Sequence, residues 1–143
     1  MFEERDYVMR MVQQLAKLLA AVLKLKSEQK YDEAVQSLEG ACQDLLGLDF
    51  GALALVDSES GASLLRDVSR VRTFARLLEE LAQLHASKGE EAKARARARH
   101  AFEMYCEALI RRGEDGEARA GIGRLRDQVD EALLSDRYRK LLR

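Results

Sequence analysis

The side chains that most readily bind metals or act as nucleophiles are two histidines and two cysteines. His85 and His100 stand in neither a Glu-x-x-His nor a His-x-x-x-His pattern, the spacings that bring two ligands to one helix face. Cys42 and Cys106 have no metal-binding spacing and fall on apolar helix faces, so we expect reduced, buried thiols. We expect His85 to pack in a helical core and His100 to be solvated. The sequence therefore predicts no metal site and no cofactor.

Motifs for catalysis on phosphate or acyl groups are not found. The chain has no glycine-rich phosphate loop, no nucleophile elbow and no cysteine–histidine pair. Its acidic residues fall mostly on outer helix faces, without an apolar pocket that would raise a carboxyl pKa. We therefore predict that the protein is not an enzyme and has no catalytic residues.

A basic run over residues 93–100 points to a second chemistry, the binding of nucleic-acid phosphates. Its cationic side chains are Lys93, Arg95, Arg97 and Arg99. Helical geometry divides them between two flanks, and Glu91 stands four residues before Arg95, the spacing of an ion pair. No exposed aromatic residues interleave with the cations for base stacking. We therefore rank a solvated, salt-bridged helix first and keep nucleic-acid binding as the alternative function.

The composition is typical of a helical globular chain. Of 143 residues, 47% are hydrophobic and 34% charged, with no proline and no tryptophan, which favours α-helix nearly throughout. The longest charge-free apolar run near the start, residues 18–23, is too short to span a bilayer, and the acidic start shows no signal peptide. We expect one all-α domain over residues 1–143, in the cytoplasm and with no membrane partner.

Residues 63–112 are predicted to form the helical hairpin around which the fold is built. Apolar residues of its first helix recur at alternating steps of three and four and cover about 200° of the helix surface, so this helix contacts neighbours on two sides. Gly89 ends this helix, and the second helix turns a face of alanines towards it. The polar face of the first helix carries Arg76, Glu79 and Gln83. We predict that these three residues bind a partner protein.

The rest of the chain is predicted to form three further segments. A first hairpin covers residues 3–46, and a connector over residues 47–62 includes a short helix near residues 50–56. A C-terminal helix covers residues 115–134 and precedes a short tail helix. Gly121 and Gly123 weaken the C-terminal helix by about 1 kcal/mol each relative to alanine, and they mark either a tight crossing or a soft segment.

Both hairpins resemble tetratricopeptide repeats in their order of large and small residues. In the second hairpin the pattern falls on Leu78, Leu81, Ala82, His85, Gly89, Ala94, Ala98 and Ala101; in the first it falls on Leu18, Ala21, Val22, Leu25, Ala34, Leu38 and Ala41. The whole chain is also similar to an uncharacterised bacterial family of short helical proteins, through residues 1–4, residues 45–50 and the central hairpin. The resemblance implies a right-handed, tetratricopeptide-like array of about five antiparallel helices in a bacterial protein, and it implies no activity.

The first helix carries an apolar stripe about 160° wide, which is more than one partner helix requires. Along it lie Val8, Met11, Leu15, Leu18 and Val22. Repeats of this kind need about three stacked units to close a core, and this chain has two hairpins and one further helix. We therefore predict a homodimer through this stripe; the alternative is that residues 50–56 and the C-terminal apolar residues cover it within one chain. The predicted function is a protein–protein interaction or scaffold module that self-associates.

Overall fold

A computed structural model describes residues 2–142, and within them every regular element is a helix. The α-helices are α1 (Phe2–Ser27), α2 (Tyr31–Leu46), α3 (Phe50–Ala54), α4 (Ser58–Leu65), α5 (Val68–Ser87), α6 (Glu91–Arg112), α7 (Gly116–Leu125) and α8 (Asp136–Arg139). Short 3-10 helices cover Arg126–Gln128, Glu131–Leu133 and Lys140–Leu142. The predicted all-α class is therefore confirmed, whereas the right-handed array of five helices stays a prediction.

The chain divides into two compact units, and the single domain over residues 1–143 stays a prediction. The first unit is Met1–Leu55 and the second is Val56–Arg143. Their boundary lies inside the predicted connector over residues 47–62. The first unit contains α1 to α3, and the second contains α4 to α8.

In the first unit, α1 and α2 form the predicted hairpin. The chain turns at Gln29, which has a positive φ of 60°, and α2 packs on α1 through a buried row of Ala34, Leu38, Cys42 and Leu45. Gly47 ends α2 in the left-handed conformation, with φ at 74°. The side chain of Asp49 then accepts a hydrogen bond from the Ala52 amide and starts α3. This places the short helix predicted over residues 50–56 at Phe50–Ala54.

In the second unit, α5 and α6 form the largest helix–helix contact. Two apolar rows of α5 are buried, as its 200° stripe predicts: Val71, Phe74, Ala75, Leu77, Leu78, Leu81, Ala82 and Leu84. The turn between the helices is at Gly89, with φ at 79°. On α6, Ala98 and Ala101 are buried. Because their side chains are small, the two helix backbones can approach closely along this face.

The helix predicted to begin at Ser63 is divided in two. Arg66 takes a positive φ of 72°, and the side chain of Asp67 accepts a hydrogen bond from the Arg70 amide to start α5. Asp57 similarly caps α4 through the Ser60 amide. These aspartates begin new helices because their carboxylates satisfy amides of the first turn that would otherwise lack partners.

The C-terminal helix predicted over residues 115–134 ends nine residues early, at Leu125. After one 3-10 turn, Val129 is extended, with φ at −117° and ψ at 130°. The side chain of Asp130 then caps another short turn through the Ala132 amide. The local hydrogen bond at Asp130 competes with continuation of the helix. The predicted tail helix is present as α8.

Candidate functional site

The stripe predicted for self-association lies mostly on the covered side of α1. Met11 and Val22 are buried, with exposures of 3% and 1%. Val8, Leu15 and Leu18 are half-buried. The sequence therefore correctly identifies an apolar helix with more than one face, but the part of the apolar surface left open lies elsewhere.

The open apolar surface of α1 is a neighbouring row of Met9, Val12, Ala16, Ala20 and Leu23. All five residues are exposed, and the three larger side chains have exposures of 55%, 57% and 66%. Their spacing of three, four, four and three residues places them on one helix face. We refer to these five residues as the α1 row. A contiguous exposed apolar row of this kind is characteristic of an interaction surface.

One flank of the α1 row carries exposed polar and charged residues. Asp6, Gln13 and Lys24 are separated by seven and eleven residues, which places them within about 20° of one another around the helix. Lys17 lies beside them and is also exposed. The α1 row is therefore bordered by an acid near one end and by bases towards the other.

The predicted partner-binding residues of α5 separate into exposed and buried positions. Gln83 is exposed and Arg76 is partly exposed, and Arg76 pairs with Glu80 at 3.0 Å. Glu79 is buried, with an exposure of 3%. It is therefore not a surface contact, because it lies inside the second unit and is held there by two distant residues.

Glu79 is the centre of a closed cluster with Tyr105 and Arg124. Arg124 donates from Nε at 2.7 Å and from Nη2 at 3.0 Å, one to each carboxylate oxygen. The Tyr105 hydroxyl donates to Oε1 at 2.8 Å. Burial acts to raise the pKa of Glu79, but the hydrogen bonds from Arg124 and Tyr105 outweigh it and lower the pKa. Glu79 is thus an ionised anchor between α5, α6 and α7.

Glu107 is the centre of a second, similar cluster, with Arg137, Tyr138 and Arg111. Its side chain is fully buried, and Arg137 donates to both oxygens, at 2.7 and 3.1 Å. The Tyr138 hydroxyl donates at 2.8 Å and Arg111 Nε at 3.4 Å. Burial again opposes these bonds, and the net effect is a lowered pKa for Glu107. The cluster fastens α8 to α6.

These two clusters are suited to holding helices together rather than to acid–base catalysis. Both oxygens of each carboxylate accept hydrogen bonds from arginine, and one of the two also accepts from tyrosine. A general base, by contrast, needs a free oxygen directed at a substrate. The sequence offers one signal for Glu79, since it stands four residues after buried Ala75 and three before buried Ala82. Its partners could not be predicted, because they come from helices far along the chain.

The cysteines are placed as the sequence predicts. Cys42 and Cys106 are buried, free thiols, and burial raises the pKa of each to about 12. Both are therefore protonated and unreactive at neutral pH. Among the described residues 2–142, no three histidine, cysteine or acidic side chains are grouped to hold a metal ion.

The basic run lies at the start of α6, and its first two cations are paired with acids. Lys93 lies 3.6 Å from Glu90, and Arg95 lies 3.8 Å from Glu91 as predicted. Both cations are exposed, whereas Arg97 and Arg99 are both half-buried. The four predicted phosphate-binding residues therefore do not form one exposed cationic face.

We expect the loss of the Arg95 and Arg99 charges to have no effect on nucleic-acid binding. In the double variant Arg95→Gln/Arg99→Gln, fluorescence anisotropy with single- and double-stranded oligonucleotides should show no measurable affinity at moderate salt, as in the unmodified protein. Micromolar binding by the unmodified protein that weakens steeply with salt, and is lost in the variant, would contradict this expectation.

The two histidines differ in outcome. His85 is buried as predicted, with an exposure of 4%, and its Nδ1 lies 2.8 Å from Glu90. The prediction that His100 is solvated is wrong, because its ring packs edge-on against Phe74 with centroids 5.4 Å apart. Burial, followed by the charges of Arg97 and Arg99, lowers the pKa of His100 to about 4.

We expect His100 to make the protein less stable in mild acid. Its pKa is about 4 in the folded chain and 6.5 for an unperturbed histidine, so the unfolded chain binds the extra proton between these values. Stability is therefore full above this window and falls as the pH falls through it, by about 1.5 kcal/mol between pH 6.5 and pH 5. Urea unfolding of the protein and of His100→Gln at both pH values measures the difference. Parallel pH profiles for the two proteins would refute this assignment.

Comparison with protein-family models, with curated proteins and with solved structures finds no match for this chain. The resemblance to tetratricopeptide repeats and to a bacterial family of short helical proteins therefore stays a prediction. None of the helices that the structure describes is long and apolar enough to cross a bilayer.

Proposed function

We propose that this chain is a protein–protein interaction module that self-associates through the α1 row. The observation that supports it is the exposure of Met9, Val12 and Leu23 along one face of a helix whose neighbouring apolar face is buried. Removing such a row from water is favourable by roughly 25 cal/mol per Å² of apolar surface. The proposed surface replaces the predicted stripe, of which Met11 and Val22 are buried.

A second copy of the chain is the occupant to which the α1 row is suited. Its spacing of three, four, four and three residues is the same read from either end, with Ala16 at the centre. A twofold interface needs such a self-complementary surface, because each copy presents the same residues to the other. The small side chains of Ala16 and Ala20 allow the helices to approach closely, while the larger residues towards each end provide the apolar area.

The module is further proposed to be a non-enzymatic, tetratricopeptide-like protein of the bacterial cytoplasm. The α1–α2 and α5–α6 hairpins are the elements that carry the resemblance, and the two reduced thiols suit a reducing compartment. The hydrogen-bonded state of Glu79 and Glu107 supports a structural rather than a catalytic role for the buried acids.

Molar mass measured by light scattering over a dilution series tests the proposal. We expect the mass to rise from the chain mass of 16.2 kDa towards twice that value as concentration increases, and we expect Val12→Gln/Leu23→Gln to remain at the chain mass. Circular dichroism should show unchanged helicity in the variant, because both replaced side chains are exposed.

Leu55→Gln is the matched control. Leu55 has an exposure of 88%, more than Met9, Val12 or Leu23 of the α1 row. It lies outside that row, so we expect this variant to self-associate like the unmodified protein. The proposal is overturned if the unmodified protein keeps the single-chain mass at the highest soluble concentration. Equal self-association by the double variant would overturn it as well.

A further inference from the structure

Asp6 and Lys24, two residues of opposite charge, lie on one flank of the α1 row near its two ends. We infer that two copies pair with their α1 helices antiparallel, about a twofold axis near Ala16, and that Asp6 and Lys24 select this orientation. The inference rests on the proposed self-association and names the arrangement and the residues that determine it.

The positions of the residues in the α1 row fit an antiparallel pair. Met9 and Leu23 each stand seven residues from Ala16, and Val12 and Ala20 each stand four residues from it. About a twofold axis at Ala16, Met9 of one copy therefore faces Leu23 of the other, and Val12 faces Ala20. Val12 then packs against the small side chain of Ala20, and Met9 packs against Leu23, which lets the two surfaces interlock.

The charged residues on the flank are also placed at nearly equal distances on either side of Ala16. In an antiparallel twofold pair, residues on one flank of a helix meet residues on the same flank of its partner. Asp6 and Lys24 stand ten residues before and eight residues after Ala16, a difference of about 3 Å along the helix at 1.5 Å per residue. The long lysine side chain spans this difference.

Charge disfavours the parallel alternative. In a parallel twofold pair each flank meets the opposite flank of the partner, so Lys24 of one copy lies near Lys26 of the other and like charges are brought together. Asp6 and Lys24 are both exposed, so a second copy can reach both charges. Antiparallel pairing also places the helix dipoles in opposite directions, which is the favourable arrangement.

Cysteine cross-linking between two singly substituted proteins distinguishes the orientations. Met9→Cys and Leu23→Cys are treated with a short bismaleimide, separately and as an equimolar mixture. We expect linked dimers mainly in the mixture, because residue 9 of one copy faces residue 23 of the other. The buried, protonated thiols of Cys42 and Cys106 do not compete for the reagent.

Charge reversal tests the role of the flank. We expect Asp6→Lys and Lys24→Asp each to weaken self-association by about threefold to tenfold at low salt, since exposed ion pairs contribute modestly and each dimer has two of them. The double variant Asp6→Lys/Lys24→Asp should recover the affinity of the unmodified protein, and high salt should remove the differences. Gln14→Lys adds a charge on the other side of the same helix and should leave the affinity unchanged.

The outcomes separate this inference from the proposed function. A dimer in which Met9→Cys alone links as efficiently as the mixture overturns the antiparallel arrangement and leaves self-association intact. A dimer whose affinity is not recovered by the double charge reversal overturns the role of Asp6 and Lys24. A chain that stays monomeric at all concentrations overturns the proposed function itself, and the inference with it.

Discussion

Replacing Gly121 by alanine is expected to lower the free energy of unfolding by about 2 kcal/mol. Gly121 lies on the buried face of α7, and a Cβ atom there would lie 2.5 Å from Cε2 of Tyr105 and 2.6 Å from its Cδ2 and Cζ atoms. Overpacking of this kind typically costs about 1–3 kcal/mol. The Tyr105 ring cannot move away readily, because its hydroxyl donates a hydrogen bond to Glu79 and accepts one from Arg124.

Gly123 provides the matched control for this substitution. It lies two residues further along α7, and a Cβ atom there would have no heavy atom within 4 Å. Gly123→Ala should therefore gain about 0.5–1 kcal/mol, because alanine loses less backbone entropy than glycine on entering a helix. Urea denaturation of the two variants measures both effects. Equal stabilisation by both alanines would show that the Tyr105 ring moves freely, contrary to our prediction.

The two glycines show where sequence reasoning succeeds and where it ends. Their presence in a helix predicts either a tight crossing or a soft segment, and the structure assigns the tight crossing to Gly121 alone. Helical periodicity predicts α1, α2, α5 and α6 because each buries a regular apolar face. It cannot distinguish Gly121 from Gly123, because the difference depends on a tyrosine from another helix.

The division of the predicted helix at Arg66 and Asp67 has a more local cause. Apolar spacing continues across these residues, so the pattern alone predicts one helix. The carboxylate of Asp67 instead accepts the Arg70 amide and starts a new helix. An aspartate before a helical segment is a recognisable capping signal, and in this chain it marks the boundary between α4 and α5.

The exposed apolar surface of α1 lies on a different face from the one that the sequence predicts. The sequence shows an apolar stripe wider than one neighbour requires, and it cannot show which part of the helix the folded chain covers. Val22 is buried while Leu23, the next residue, has an exposure of 66%. Only the packed structure separates the α1 row from the predicted stripe.

The buried acids illustrate the same limit for polar residues. The sequence does not predict Glu79 and Glu107 in the interior, because an ionised carboxylate is costly to bury without partners. Their partners Arg124 and Arg137 come from segments 45 and 30 residues away. Sequence spacing does not predict such long-range pairs.

Replacing Glu107 by alanine is expected to cost more stability than Gly121→Ala, about 3 kcal/mol. The carboxylate is fully buried, and its removal leaves Arg137, Tyr138 and Arg111 without their shared acceptor. Breaking a buried ion pair costs about 3–5 kcal/mol, and the lower end applies because the Arg137 side chain is 36% exposed and can regain water. We also expect α8 to detach before the rest of the second unit unfolds.

Four measurements distinguish this anchor from a general loss of packing. Tyr138→Phe removes one hydrogen bond and should lower the free energy of unfolding by about 1 kcal/mol. Asp136→Ala should cost little, because the Asp136 side chain is 88% exposed.

The pKa of Glu107 is lowered in the folded chain, so its ionised form contributes stability above the ordinary carboxyl pKa. This contribution is lost as the pH falls below that value. The difference in stability between the unmodified protein and Glu107→Gln should therefore shrink below about pH 4.5. Amide hydrogen exchange of residues 136–142 should become faster in Glu107→Ala. Unchanged exchange, together with a stability difference that is the same at neutral and acidic pH, would show that the charge of Glu107 does not hold α8 in place.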